Sequence, residues 1–216
     1  RDLHRVDRRQ RQMCIRDRLY TIPMKPIILA VLMDDISSIK PIKDSSFAMM
    51  LEAQKRDWEI YTFDSPDMFY EDGKVVTNAR KTLVRDSQHD WYECEDIEKL
   101  PLNNVDVVFM RKDPPFDMDY IYATYLLEQA ENSGILVVNK PSSLRDANEK
   151  LFALNFPECI PETLVSSNIE KLSEFISKIK TAVVKPLDGM GGTDIFKLTK
   201  GDKNIEEVLL KITNQG

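Results

Sequence analysis

Four short apolar runs, at 27–33, 58–63, 105–110 and 135–138, constrain this chain more than any other feature. The first, Ile27-Ile-Leu-Ala-Val-Leu-Met33, has no polar position at all, as expected of a parallel strand buried on both faces. Between the first two runs, Asp44-Ser-Ser can cap a helix beginning near Phe47. Phe47, Met50, Leu51 and Gln54 then recur at helical spacing, three of the four apolar. Strand, helix and strand make a βαβ unit. A second helix from about 119 to 132, ended by Gly134, joins the third run to the fourth. The predicted architecture is α/β, with an N-terminal Rossmann-like parallel sheet in three layers. No Gly-x-Gly-x-x-Gly follows the first strand, so the dinucleotide fingerprint is absent.

Residues 64–104 are polar and acidic, with Val75-Val-Thr77 the only strand-like piece, and read as an excursion from the sheet. After 141 the texture changes. Leu144, Leu151, Phe152 and Leu154 fit one helix that also carries Arg145, Asp146, Glu149 and Lys150. A short strand at 162–165 precedes a helix at 169–179 with Leu172, Phe175, Ile176 and Ile179 at helical spacing. Strands at 181–185 and 195–198 flank a glycine-rich turn, and Asp202 or Asn204 can cap a last helix reaching Ile212. The predicted division is a leader at 1–23, one domain at 24–141 and a second, partial domain at 142–216.

Residues 1–23 carry seven arginines and no lysine, whereas the rest carries eighteen lysines and five arginines. The break suggests a segment foreign to the domain, expected to be disordered. A basic arm or a mitochondrial presequence is the alternative, and Asp2, Asp7 and Asp17 weigh against the presequence. Without this segment the charge is 23 basic minus 33 acidic residues, or −10, which argues against a nucleic-acid partner bound through a broad basic surface. No apolar run approaches the roughly 20 residues of a membrane span. Cys14, Cys94 and Cys159 lie far apart with no Cys-x-x-Cys pair, which suits reduced thiols in a cytoplasmic protein. Trp91, Tyr92 and His89 are expected to pack a loop.

Three of the seven glycines, Gly189, Gly191 and Gly192, fall within four residues of the turn Pro186-Leu-Asp-Gly-Met-Gly-Gly192. Glycines there let backbone amides approach a phosphate, and Lys185 at the preceding strand end can add an ammonium. The lysine precedes the glycines, so this is no Walker loop, and a flexible hairpin is the plain alternative. Asp188 and Met190 belong to the same candidate cofactor loop. Arg111-Lys-Asp-Pro-Pro115 lies just past the carboxyl end of a buried strand, where open α/β sheets bind ligands. Arg111 and Asp113 are the candidate catalytic residues, suited to a zwitterionic or carboxylate substrate; an exposed charged loop is the alternative. Asp34-Asp35 ends the first strand and could hold a metal or an amine, or cap a turn.

Several longer segments carry a resemblance: Lys43-Asp-Ser-Ser-Phe-Ala-Met49, Met110-Arg-Lys-Asp-Pro-Pro-Phe-Asp117, Tyr120-Ile-Tyr-Ala-Thr-Tyr125, Val138-Asn-Lys-Pro-Ser-Ser-Leu-Arg-Asp-Ala-Asn-Glu-Lys-Leu-Phe152, Pro161-Glu-Thr163 and Lys185-Pro-Leu-Asp-Gly-Met-Gly-Gly192. With these, residues 24–216 resemble the bacterial glutathione synthetases of the ATP-grasp superfamily. The resemblance implies that the second domain is the first α+β half of an ATP-grasp domain. It implies that Lys150 and Lys185 contact ATP phosphates beneath the loop at 189–192. The implied substrates are γ-glutamylcysteine and glycine, with no membrane partner and a homo-oligomer left open. Family members run well past residue 216, so the adenine hinge, the lid and the Mg²⁺ ligands are expected beyond it, and a chain ending there is expected to be inactive. Asp35 departs from the family, which usually has proline. Another carboxylate–amine ligase of the superfamily and a non-catalytic nucleotide-binding module are the rival readings.

Overall fold

The computed structural model describes residues 25–87, 89–189 and 191–213, so the expected leader lies outside the described residues. Its centre is a seven-stranded sheet in the order β3-β4-β2-β1-β6-β7, with β5 paired to β4. The strands are β1 (Ile28–Leu32), β2 (Glu59–Phe63), β3 (Met68–Glu71), β4 (Lys74–Val84), β5 (Tyr92–Pro101), β6 (Val107–Met110) and β7 (Leu136–Val138). The expected parallel core is present: β1 pairs with β2 and β6, and β6 with β7, all parallel.

Helix α1 (Ser45–Gln54) covers one face and α2 (Met118–Asn132) the other. In β1, Ala30 and Leu32 enter the core under α2, whereas Leu29 and Val31, with Met33 just past the strand, enter the core under α1. Both faces are buried, which is why the run is apolar without alternation. Asp44 caps α1 by accepting the Phe47 N–H at 2.8 Å. Phe47 and Met50 are buried beneath it, each contributing roughly 2 kcal/mol of transfer free energy. Gln54, the polar member of that face, both donates to the Val84 carbonyl (2.7 Å) and accepts the Val84 N–H (2.9 Å). It thereby docks α1 onto β4.

The segment expected to leave the sheet is instead its antiparallel half, β3, β4 and β5. Strand β4 pairs with β2 at Tyr61↔Lys81 and Thr62↔Arg80, joining the ribbon to the parallel core. Its inward positions include Thr77, Ala79 and Thr82, small or polar residues that conceal the alternation from a hydrophobic count. Asp72 and Gly73, with φ of 49° and 78°, form the two-residue hairpin between β3 and β4. Asp-Gly at that spacing is a hairpin signal that the composition of the segment obscured. Trp91 is buried edge-on against Phe47, while His89 is exposed.

Helix α3 (Pro141–Asp146) is a single short helix, not the longer one expected through Leu154. Asn148 ends it: its side-chain oxygen accepts the N–H groups of both Lys150 and Leu151 at 3.0 Å, a local bond that competes with helix. Two short 3-10 turns follow, and 162–165 is not a strand. A separate core then forms between α4 (Ile169–Ile179), α5 (Ile205–Ile212) and the hairpin of β8 (Thr181–Val184) with β9 (Phe196–Thr199). Asn204 stands at the start of α5 without capping it, and Asp202 accepts the Thr199 N–H at 2.8 Å instead.

Candidate functional site

Three strand ends meet where β1, β2 and β6 run out in parallel. Asp34 follows β1, Asp64 follows β2, and Arg111-Lys112-Asp113 follows β6. Backbone bonds carry the ladder past the strand ends, with Arg111 N–H donating to Leu32 O at 2.7 Å and Met33 N–H to Phe63 O at 3.0 Å. Lys112 sends its ammonium to Asp34 Oδ1 (2.5 Å) and to Asp64 Oδ1 (2.6 Å). The other oxygen of Asp34 accepts the Asp113 N–H at 3.3 Å. Burial alone would push the Lys112 ammonium down, but its bonds to Asp34 and Asp64 outweigh that and hold its pKa above the ordinary value.

Arg111 points toward α1. Its Nε donates to Ser46 Oγ at 2.9 Å and its Nη2 to Ser45 Oγ at 2.7 Å, so both serines of the Lys43-Asp-Ser-Ser segment are its acceptors. Asp113 is exposed, yet partial burial and the charges of Asp34 and Asp44 push its carboxyl above the usual aspartate value, against Arg111 and Lys112. Tyr120, half-buried at the start of α2, has its phenol pushed up chiefly by burial, with Arg111 and Asp113 the charges it feels. Asp35 caps the turn at Ile36–Ser38 by accepting the Ser37 N–H at 2.8 Å, and this bond and that of the Ser37 hydroxyl hold its pKa down. Asp34 and Asp35 are thus engaged in an ion pair and a cap. Among the described residues, no group of three or more His, Cys, Asp or Glu could hold a metal.

The second element of the site is the glycine loop between β8 and β9. Lys150 donates to Gly189 O at 2.6 Å and Leu187 O at 3.4 Å, and to the neighbouring Glu149 at 2.9 Å. Asn148 adds a bond from its amide to Leu187 O at 3.3 Å. Gly191 and Gly192 take φ of +65° and +83°, where a side chain is strained. At Gly189 a Cβ would come within 3.0 Å of the Pro186 ring. Met190 lies outside the described residues. Lys185 follows β8 and is exposed, as is Asp188. Val183 pairs with Lys197, so alternation sets Lys185 and Lys197 on the same face of the hairpin.

The two elements touch. The Phe116 N–H, at the end of the Arg-Lys-Asp-Pro-Pro segment, donates to Asp188 O at 3.4 Å. Of the residues singled out in the sequence, Lys150 bonds the loop at Leu187 and Gly189, and the loop meets the chain just past Arg111 and Asp113, at Phe116. Asp64, Ser45, Ser46 and Asn148 were not singled out as site residues. Asp64 had a signal, since it ends a parallel strand just as Asp34 does. Asn148 had none, because its role depends on a loop 39 residues further on.

Residues 27–145 match the family described as "Prokaryotic glutathione synthetase, N-terminal domain", and residues 149–216 match "Prokaryotic glutathione synthetase, ATP-grasp domain". Among curated proteins, the glutathione synthetase of Photorhabdus laumondii is 48% identical over 190 residues, covering 88% of this chain and 60% of that protein. The glutathione synthetase of Escherichia coli is 46% identical over the same length and with the same coverage. The chain thus spans about 60% of the length of these relatives. Among solved structures, D-alanyl-alanine synthetase A of Vibrio cholerae is similar with a TM-score of 0.47 at 14% identity, covering 88% of this chain and 56% of that one.

Proposed function

Because the chain belongs to the prokaryotic glutathione synthetase family, we propose that it provides the substrate loop and the phosphate-binding half of a ligase. That ligase joins γ-glutamylcysteine to glycine at the expense of ATP. The cysteinyl carboxylate of γ-glutamylcysteine accepts the γ-phosphoryl group, and ADP leaves. The glycine amine then attacks the carbonyl carbon of this acyl phosphate, loses a proton and expels phosphate, giving glutathione.

The observation that carries the reading is the Lys150 ammonium, 2.6 Å from Gly189 O in a loop whose Asp188 carbonyl accepts the Phe116 N–H. Lys150 and Lys185 would bind the phosphates, with Asp188, Gly189, Met190, Gly191 and Gly192 as the loop that covers them. A cation and preorganised amides there stabilise the charge spread over the transferring oxygens. Mg²⁺ would add neutralisation of the β- and γ-phosphates when bound. Arg111 and Asp113 would receive the charged ends of γ-glutamylcysteine. The substrate unit, expected at 24–141, would hand over to the phosphate unit, expected at 142–216, after Asp146, since α3 still packs on α2 through Arg145 and Leu144. The setting is proposed to be the cytoplasm; among the described residues no helix is long and apolar enough to cross a membrane.

The test is product formation by the protein expressed from the complete reading frame that encodes it. ATP, Mg²⁺, γ-glutamylcysteine and glycine should yield glutathione, ADP and phosphate. A panel of other carboxylates and amines should yield far less. Preference for a peptide or glutamate acceptor over glycine would transfer the protein to another ligase class within the same superfamily.

A further inference from the structure

The two cations of the Arg111-Lys112 pair have different surroundings. Arg111 reaches the first turn of α1 and is held by neutral hydroxyls, leaving its charge available to an anion. Lys112 is only 21% exposed, and its ammonium lies between two carboxylates from two other strands. The sheet order β2-β1-β6 means that Lys112 starts at the end of β6 and closes over β1 to reach the end of β2. Neighbouring strands lie about 4.8 Å apart, so the side chains of Lys112 and Asp64 together bridge the two gaps between β6 and β2. Asp34 serves both ends of this clamp, since one oxygen takes the ammonium and the other takes the Asp113 N–H.

We propose that Lys112 is a positioning residue: its ammonium, clamped by Asp34 and Asp64, fixes the loop so that Arg111 and Asp113 face the substrate. The proposal rests on the reading of Arg111 and Asp113 as substrate-binding groups. It removes Lys112 from the set that touches substrate. An ammonium already satisfying two carboxylates has little charge left for a third. Without it, Asp34 and Asp64 would repel across the strand ends. The Asp113 N–H would then lose its acceptor, and Arg111 its register with Ser45 and Ser46.

The test compares Lys112→Met, Lys112→Arg and the milder Asp64→Asn by hydrogen exchange in NMR and by dipeptide binding. In the unaltered chain the Arg111 Nε–H and the Asp113 N–H should exchange slowly. Lys112→Met should speed both by about tenfold or more while the β1 amides of Val31 and Leu32 keep their protection. Lys112→Arg should restore both to within about threefold, and Asp64→Asn should fall between; it also serves if Lys112→Met does not fold. Affinity for γ-glutamylcysteine should fall about tenfold in Lys112→Met and recover in Lys112→Arg. In the ligation assay KM for the dipeptide should rise with kcat little changed. Unchanged Arg111 Nε–H exchange in Lys112→Met would overturn the proposal, as would loss of protection at Val31 and Leu32 together with the loop. If the unaltered protein does not bind the dipeptide, the substrate reading fails. The exchange data would still decide whether Lys112 positions Arg111.

Discussion

Lys150 and Gly189, 39 residues apart in sequence, are joined by an ammonium-to-carbonyl bond of 2.6 Å that ties the α3 segment to the glycine loop. The carbonyls of Leu187 and Gly189 both turn toward this cation. The ammonium also pairs with Glu149, so a phosphate arriving at the loop would have to take the place of one of these three acceptors.

Lys150→Met should therefore weaken nucleotide affinity strongly. A charge-assisted hydrogen bond contributes roughly 1.5–3 kcal/mol, or about one to two decades in Kd. The matched control is Lys178→Met, since Lys178 pairs with Glu162 on the exposed side of α4. Lys197 is a poorer control, because the β8–β9 register sets it on the face that Lys185 shares. Titration calorimetry with ATP should separate Lys150→Met from the control. Equal effects would remove Lys150 from the phosphate site.

Gly192→Ala tests the loop backbone. With φ at +83° and nothing within 4 Å of an added Cβ, the cost is conformational rather than steric. It should be about 1 kcal/mol, concentrated in the loop. Urea denaturation should register a small loss, and ATP affinity should fall with it. An alanine variant as stable and as tight-binding as the parent would mean that the loop does not need this conformation.

What could be read from the sequence was whatever burial or local chemistry decides alone. The double-sided burial of β1 makes its apolar run unmistakable. Asp44 and Gly134 mark helix ends by local bonding and by a φ of +96°, and both stand as expected. Strand β4 was hidden because its inward face uses Thr77, Ala79 and Thr82, and because its partner β5 is charged along much of its length. The long helix expected at 144–154 failed at Asn148, where one side chain outcompetes the helical backbone. In the site, residue types were legible but partners were not. Nothing local to Lys112 says that it faces Asp34 and Asp64 rather than a substrate.

Gln54→Leu tests the join between α1 and the unforeseen ribbon. The substitution puts an apolar side chain of similar size at this position but leaves the Val84 N–H and carbonyl without their partner. The expected cost is about 1–3 kcal/mol in the denaturation free energy. No loss, or a gain, would show that water replaces both bonds and that packing alone docks α1 on β4.

Asp113→Asn should change the pH dependence of stability in a defined direction. Its carboxyl titrates above the ordinary value of 3.8 in the folded chain. Between that value and the raised one, the folded state holds more protons than the unfolded state, so stability falls as pH rises. Removing the carboxylate removes that loss. The variant should match the parent well below pH 3.8 and be the more stable of the two at pH 7. Denaturation free energies across that range check the sign; a gap that narrows with rising pH would contradict it.

The most direct test of the account is isotope transfer from γ-glutamylcysteine labelled with ¹⁸O in its cysteinyl carboxylate. The ligation is run with ATP, Mg²⁺ and glycine, using protein from the complete reading frame, and the phosphate released is analysed by mass spectrometry. If phosphates are held over Lys150 and the glycine loop and pass to the carboxylate, each phosphate released with glutathione carries one ¹⁸O and the nucleotide product is ADP. Unlabelled phosphate, or AMP with pyrophosphate, would contradict phosphoryl transfer to the carboxylate and with it the central reading of this site.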